Sequence, residues 1–214
     1  YLTGVVPYEI GLNSPTEALS AQAILARTWA LANSHRFLID GYHLCSDTQC
    51  QVYRDPSKAD LKVRNAITKT SGKVLSWENR PIHAVYHASN GGVNASGTEA
   101  WSMQSVPYLK AKLDGSSQWT SQFKLPLNTE ESVRKLLLSS KGAYGNNHYR
   151  FRWERTLNEK DIRYRLGLIG LDIGRPQSIK VLRRGASGRV TALEIIGSRK
   201  KSKIVLRLDR IRRT

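Results

Sequence analysis

A single carboxylate stands in the opening stretch, Tyr1-Leu-Thr-Gly-Val-Val-Pro-Tyr-Glu9-Ile. Glu9 has Val5, Val6, Pro7 and Ile10 for company. A carboxyl among apolar groups keeps its proton longer than one in water, which suits general acid catalysis. The competing reading is a Glu that merely decorates a loop. Both cysteines of the chain, Cys45 and Cys50, lie in a polar loop with His43. Two thiols and one imidazole are too few for a zinc site evident from sequence. Ser89-Asn90-Gly91-Gly92 follows His87 in a stretch of small polar residues that ends in Glu99 and Trp101. Such a loop either binds a ligand, its glycines letting a flat group approach the backbone, or simply turns.

These residues need elements to hold them. The opening reads as an apolar, strand-like run that leaves Glu9 on a loop. Ser14-Pro-Thr-Glu17 reads as a capping box with proline at the first helical position. Ala18, Ala21, Leu25, Trp29 and Ala32 then recur at helical spacing, widened by Leu19, Ile24 and Leu31, which predicts a largely buried helix from Ser14 to about Leu38. Ser57, with Asp60 behind it, predicts the cap of a second helix that turns Leu61, Ala66 and Ile67 inward and stops at Gly72. Val74 to Trp77 and Ile82 to His87 read as a strand pair.

Further on, a helix is predicted to open between Asn128 and Glu131 and to run through Leu138. An edge strand is predicted where Phe151 and Trp153 alternate with arginines, and Asn158 caps a short helix holding Ile162 and Leu166. The pattern then changes to strand alternation in Ile179 to Leu182, Val190 to Ile196 and Ile204 to Leu208, an antiparallel meander whose second turn, Ser-Arg-Lys-Lys-Ser, is a basic tip. Helices first and a meander last predict an α+β fold: a single mixed domain over residues 1–214, with an N-terminal buried helix and a C-terminal antiparallel β meander.

With 34 Lys+Arg against 17 Asp+Glu, a formal charge of +17, the chain should adsorb to polyanions such as nucleic acid, anionic lipid or an acidic polysaccharide. No window has the spacing of a zinc finger, an RNA-recognition motif or a basic zipper, so specific nucleic-acid binding is not expected. No run is long and apolar enough to cross a membrane. The sequence opens inside an apolar run without an initiator Met and reads as an excised piece.

Several blocks in order resemble the SpoIID (stage II sporulation protein D) family, whose relatives include the LytB amidase enhancers. They are Tyr1-Leu-x-Gly-Val-Val-Pro-x-Glu9, Glu17-Ala-Leu-x-Ala-Gln-Ala-x-x-Ala-Arg-Thr28, Cys50-Gln-x-Tyr53, His87-x-Ser-x-Gly-Gly92, Glu99-x-Trp101 and Pro107-Tyr-Leu109. The run from Gly188-Arg-Val190 to Ile211-Arg is similar to the family's closing meander, so the resemblance extends over nearly the whole chain. It implies an exported, periplasmic or extracytoplasmic lytic transglycosylase of the cell envelope, acting on peptidoglycan glycan strands freed of stem peptides, with Glu9 as the catalytic residue. The rival it implies is a non-catalytic glycan-binding module that stimulates an N-acetylmuramoyl-L-alanine amidase. Ile10 stands where many relatives have Met, a swap that conserves volume.

A lytic transglycosylase manages with one acid, because the muramic acid's own C6 hydroxyl replaces the water or second carboxylate of a hydrolase. An apolar setting would keep Glu9 protonated while the nearby helix start favours its ionised form, and desolvation is expected to prevail. Under this resemblance Arg27 either pairs with Glu9, holds a substrate carboxylate or acetamido oxygen, or pairs structurally elsewhere. Gln51, Tyr53, His87, Ser89, Asn90, Gly91 and Gly92 would line the substrate site. Glu99 would be an accessory carboxylate or a capping acid, and Trp101 a platform for a sugar face or a core residue. Some relatives hold zinc beside the second Cys through a neighbouring His, where this chain has Gln49. An oxidising compartment favours a Cys45–Cys50 disulfide over a zinc site built on His43, Cys45 and Cys50, or free thiols, and no cofactor is required.

Overall fold

The computed structural model describes residues 1–101, 103–199 and 202–214. Backbone contacts group the chain into two compact units, Tyr1–His87 and Ala88–Thr214.

In the first unit the opening stretch is a helix, α1 (Leu2–Ile10), and not the strand-like run and loop its apolar residues suggested. A short continuous apolar run serves a buried strand and a buried helix equally, and packing decided between them. Val5 and Val6 are fully buried, Val6 in one cluster with Leu19, Ala23, Ala59, Val63 and Ala66. Glu9 therefore sits in the last turn of a helix that ends at Gly11, where φ is +88°.

The next helix, α2 (Thr16–Ala32), starts later and stops sooner than predicted, and the expected capping box does not form. The Ser14 hydroxyl instead donates to the Ile10 carbonyl at 2.7 Å, which ties α1 to the entry of α2. The buried face runs through Leu19, Gln22, Ala23, Ala26 and Trp29, whereas Ala21 and Leu31 are exposed. Small side chains at Ala23 and Ala26 allow close approach, so the contact face is rotated from the one hydrophobicity alone suggested.

A short 3-10 turn (Pro56–Lys58) is capped by Asp55, and Asp60 caps α3 (Leu61–Lys69) by accepting from the Val63 amide at 2.9 Å. Ser57 is thus not the cap. Leu61, expected inside, is exposed, and Val63 takes the core position. β1 (Ser76–Trp77) and β2 (Arg80–Pro81) form a minimal hairpin whose turn residues Glu78 and Asn79 both have positive φ, the pattern of a type I′ turn.

In the second unit β3 (Val93–Asn94) is followed by α4 (Gly97–Ala100) and pairs antiparallel with β4 (Lys112–Leu113). Then come α5 (Ser117–Thr120) and α6 (Glu130–Leu138), the latter opened by a capping box between Thr129 and Ser132. Trp119, Leu127, Leu136 and Phe151 are buried together. The edge strand expected at Phe151 and Trp153 is absent, because Phe151 is drawn into that core while Arg152 turns over its ring, 4.2 Å from the centroid.

Asn158 caps α7 (Glu159–Leu168) reciprocally with Asp161, as its type and position predicted. The meander also forms as expected, from β5 (Pro176–Arg184), β6 (Val190–Gly197) and β7 (Lys203–Arg207) in the order β5-β6-β7, followed by α8 (Asp209–Arg213). Its register sets Leu193 against Leu206 and Ile195 against Ile204, the face that packs with Leu166 and Ile173. Lys200 and Lys201 of the basic tip lie outside the described residues. The chain is a mixed α+β structure, with the N-terminal helices packed on one another in the first unit and the antiparallel meander at the end of the second.

Candidate functional site

Glu9 stands at the end of a chain of polar contacts within the first unit. Its Oε1 accepts from the Val52 amide at 2.8 Å, and the Tyr86 hydroxyl lies near its carboxylate. The Tyr86 oxygen accepts in turn from Gln51 Nε2 at 3.0 Å, and Gln51 Oε1 accepts from the Tyr1 hydroxyl at 2.6 Å. Because the Gln51 amide donates to Tyr86, the Tyr86 proton is free to turn toward Glu9. Burial, reinforced by the charge of Glu9, pushes the Tyr1 phenol up to about 12, and burial likewise raises Tyr86 above its ordinary value. Both phenols stay protonated across the neutral range and act as donors.

The backbone explains how this contact is made. A Cβ at Gly4 would lie 2.5 Å from Cε2 of Tyr53 and 2.8 Å from the Arg54 carbonyl, so only glycine lets this segment lie against α1. The Arg54 amide donates to the Gly4 carbonyl at 2.9 Å, and the Tyr53 ring stacks on Tyr1 with centroids 5.8 Å apart. Cys45 and Cys50 form a disulfide that closes the loop just ahead of Gln51. Sulfurs bonded to each other offer no thiolate, and His43 Nδ1 is engaged with the Ser34 carbonyl at 2.6 Å. As arranged, these residues do not fit a zinc ion.

The other predicted residues divide by what holds them. Gln51 is 1% exposed and belongs to the internal chain of contacts. Arg27 is directed to the Lys73 carbonyl at 2.8 Å and lies 3.5 Å from Thr70 Oγ1, and burial lowers its pKa. It braces the end of α3. His87 is exposed at the end of the first unit.

In the second unit, Asn90 donates to Asn94 and Asp114 and accepts from the Gly92 amide at 2.8 Å. Gly91 and Gly92 have φ of +68° and +92°, and a Cβ on Gly92 would meet Trp119 at 2.7 Å. Asn90 and Gly92 therefore shape their loop, while Ser89 is half-buried beside it.

Glu99 is a capping and bracing acid. Its Oε2 accepts from the Ser96 amide at 2.8 Å and its Oε1 from the Ser187 amide at 2.8 Å, with both serine hydroxyls adding further bonds. Gly185 makes room for it, since a Cβ there would overlap the carboxylate. Trp101 is exposed.

The family model described as SpoIID, stage II sporulation protein, matches residues 1–77. Over these residues the chain is similar to the SpoIID family. Residues 95–214, more than half of the chain, match and belong to a second family described as a domain of unknown function (DUF8618). The meander attributed to SpoIID at the sequence level thus falls in the second match.

An amidase enhancer from Bacillus subtilis (strain 168) is 39% identical over 113 residues, 53% of this chain and 15% of that protein. The stage II sporulation protein D of Bacillus amyloliquefaciens is 35% identical over 127 residues, 52% of this chain and 36% of that protein. The corresponding Bacillus subtilis protein is 34% identical over 129 residues, with the same two shares. The chain thus spans well under half the length of these relatives. Their similarity covers more of it than the 77 residues of the SpoIID match.

Sequence reasoning missed the Val52 amide and Tyr86 beside Glu9, and Tyr1 at the far end of the same chain of contacts. Tyr1 lies inside the first SpoIID block and Tyr86 next to His87, which is the only signal either carries. A backbone amide carries none.

Proposed function

We propose that this chain cleaves the MurNAc–GlcNAc bond of peptide-free glycan strands by lytic transglycosylation, with Glu9 as acid and then base. The observation that carries this reading is the hold on Glu9, a partly exposed carboxylate fixed by the Val52 amide with the Tyr86 hydroxyl nearby, at the one acid of the first SpoIID block.

In the first step Glu9 gives its proton to the glycosidic oxygen as the bond to C1 of MurNAc breaks and the sugar takes on oxocarbenium-like charge. Two donors then face the newly ionised carboxylate, and they stabilise it without reorganising. In the second step Glu9 takes the proton of the C6 hydroxyl while that oxygen bonds to C1, closing the 1,6-anhydro ring. No water is consumed, and Glu9 ends protonated as it began. The formal charge of +17 would draw the protein along a strand that carries one lactyl carboxylate per muramic acid, more weakly as salt rises.

Similarity to an amidase enhancer supports a second reading, a module that holds glycan and assists a separate amidase without cutting. Both readings place the protein outside the cytoplasm, in keeping with the disulfide. Incubation with peptide-free glycan strands followed by mass spectrometry separates them. Anhydro ends are expected; reducing ends would indicate a hydrolase, and intact strands the binding module.

A further inference from the structure

We propose that a groove on the C-terminal unit binds one carboxylate-bearing sugar of a glycan strand, Arg150 taking the carboxylate and Trp153 the sugar face. This rests on the reading above only for the identity of the polymer. The groove has a volume of about 280 Å³, at the lower end of small-ligand cavities and suited to one sugar residue, and Ser89, Gly91, Arg150, Arg152, Trp153 and Arg189 are among its lining residues. Among the described residues three arginines line it and no Asp or Glu does, Glu99 standing behind the lining residue Ser187 at 2.8 Å.

Two of these arginines are fixed by neutral partners. Arg152 directs Nε to the Leu137 carbonyl at 2.9 Å, Nη1 to those of Gly91 and Phe151, and Nη2 to those of Leu136 and Ser139. Arg189 donates to the carbonyls of Val93 and Asn90, each at 3.0 Å. Carbonyls satisfy these N–H groups without cancelling the charge of Arg152, and burial lowers the pKa of both residues, an effect that the nearby Glu99 carboxylate partly offsets at Arg189. An anion entering the groove would offset that cost.

The third arginine is placed to meet such an anion. Arg150 is exposed, and its guanidinium lies over the Tyr149 ring at 5.1 Å, which leaves its N–H edge open. Trp153 is 77% exposed although its neighbour Phe151 is in the core. An indole face next to a cation and a serine hydroxyl matches a pyranose carrying a lactyl carboxylate. A nucleic acid would present repeated phosphates to a groove that holds only one residue.

The test uses the full chain carrying Glu9→Gln, so that bound strands stay intact, and measures calorimetric affinity for peptide-free glycan strands, chitin oligosaccharides and polyphosphate. Arg150→Gln is expected to weaken glycan binding about tenfold, to reduce its salt dependence, and to leave chitin oligosaccharides unaffected. Trp153→Ala is expected to weaken both sugars about tenfold. Both residues are exposed, so thermal midpoints close to the parent's should accompany these losses.

Unchanged glycan affinity in both variants overturns the proposal, as does polyphosphate binding tighter than glycan and lost with Arg150. Cleavage by the unsubstituted chain is assayed in parallel. If it cuts while the variants bind normally, the groove alone is refuted; if it does not cut while binding depends on Arg150 and Trp153, the groove stands and transglycosylation falls.

Discussion

The amide nitrogen of Val52 lies 2.8 Å from Oε1 of Glu9, across 43 residues of sequence. A backbone donor cannot be removed by changing its side chain, so it holds the carboxylate through most substitutions nearby. It also accepts a neutral replacement at Glu9, because the carbonyl oxygen of glutamine can take the same bond.

Glu9→Gln should accordingly fold like the parent and lose anhydromuramyl product release by about a hundred- to ten-thousand-fold, the range for removing a general acid. Product mass spectrometry beside a thermal melt checks this. Undiminished release would remove Glu9 from the chemistry.

Tyr86→Phe removes the hydroxyl near Glu9 and leaves the buried Gln51 amide without its acceptor. An unsatisfied buried donor costs about 1–3 kcal/mol, and each kcal/mol is roughly 2–4 °C of thermal midpoint at this chain length. Turnover measured well below the new midpoint should still fall about tenfold, as for a group that positions the acid. A variant that is less stable and fully active would make Tyr86 purely structural.

Gly4→Ala places a methyl group 2.5 Å from the Tyr53 ring and 2.8 Å from the Arg54 carbonyl. The loop must move off α1, at a cost of about 1–3 kcal/mol, the usual scale of overpacking. Because the Val52 amide travels with that loop, activity should fall alongside stability. Denaturant titration and the glycan assay test the pair.

Reduction of Cys45–Cys50 frees a short loop, and the chain-entropy relation for so small a ring gives about 2 kcal/mol. A melt with and without reductant should show a lower midpoint in the reduced protein. Added zinc should not restore it, since restoration would show that the reduced thiols form a metal site.

Glu99 links acidity to the second unit. Burial pushes its carboxyl up, but the amides and hydroxyls of Ser96 and Ser187 outweigh it and hold the carboxyl below its ordinary value. A group with a depressed folded value contributes stability above its unfolded value and loses it as pH falls through the folded one. The thermal midpoint should therefore fall as pH drops below about 4.5, near the ordinary Glu value. Glu99→Gln should lower the midpoint at neutral pH and flatten that acid decline, as read from melts across a pH series.

The ordered blocks from Tyr1 to Tyr53 were enough to indicate the SpoIID family and to single out Glu9, because residue type and spacing carry both. The meander and the Asn158 cap were equally legible, since alternation and capping are local. The form of the opening run was not, because Val5 and Val6 suit a buried strand as well as α1 and only packing against Leu19 and Val63 chose between them. Nor did the sequence reveal the surroundings of Glu9, which are a backbone amide and a tyrosine that the buried Gln51 holds in place. Tertiary structure alone decided those contacts, because a bare glycine, a stacked ring and a disulfide-closed loop had first to bring distant backbone to the acid.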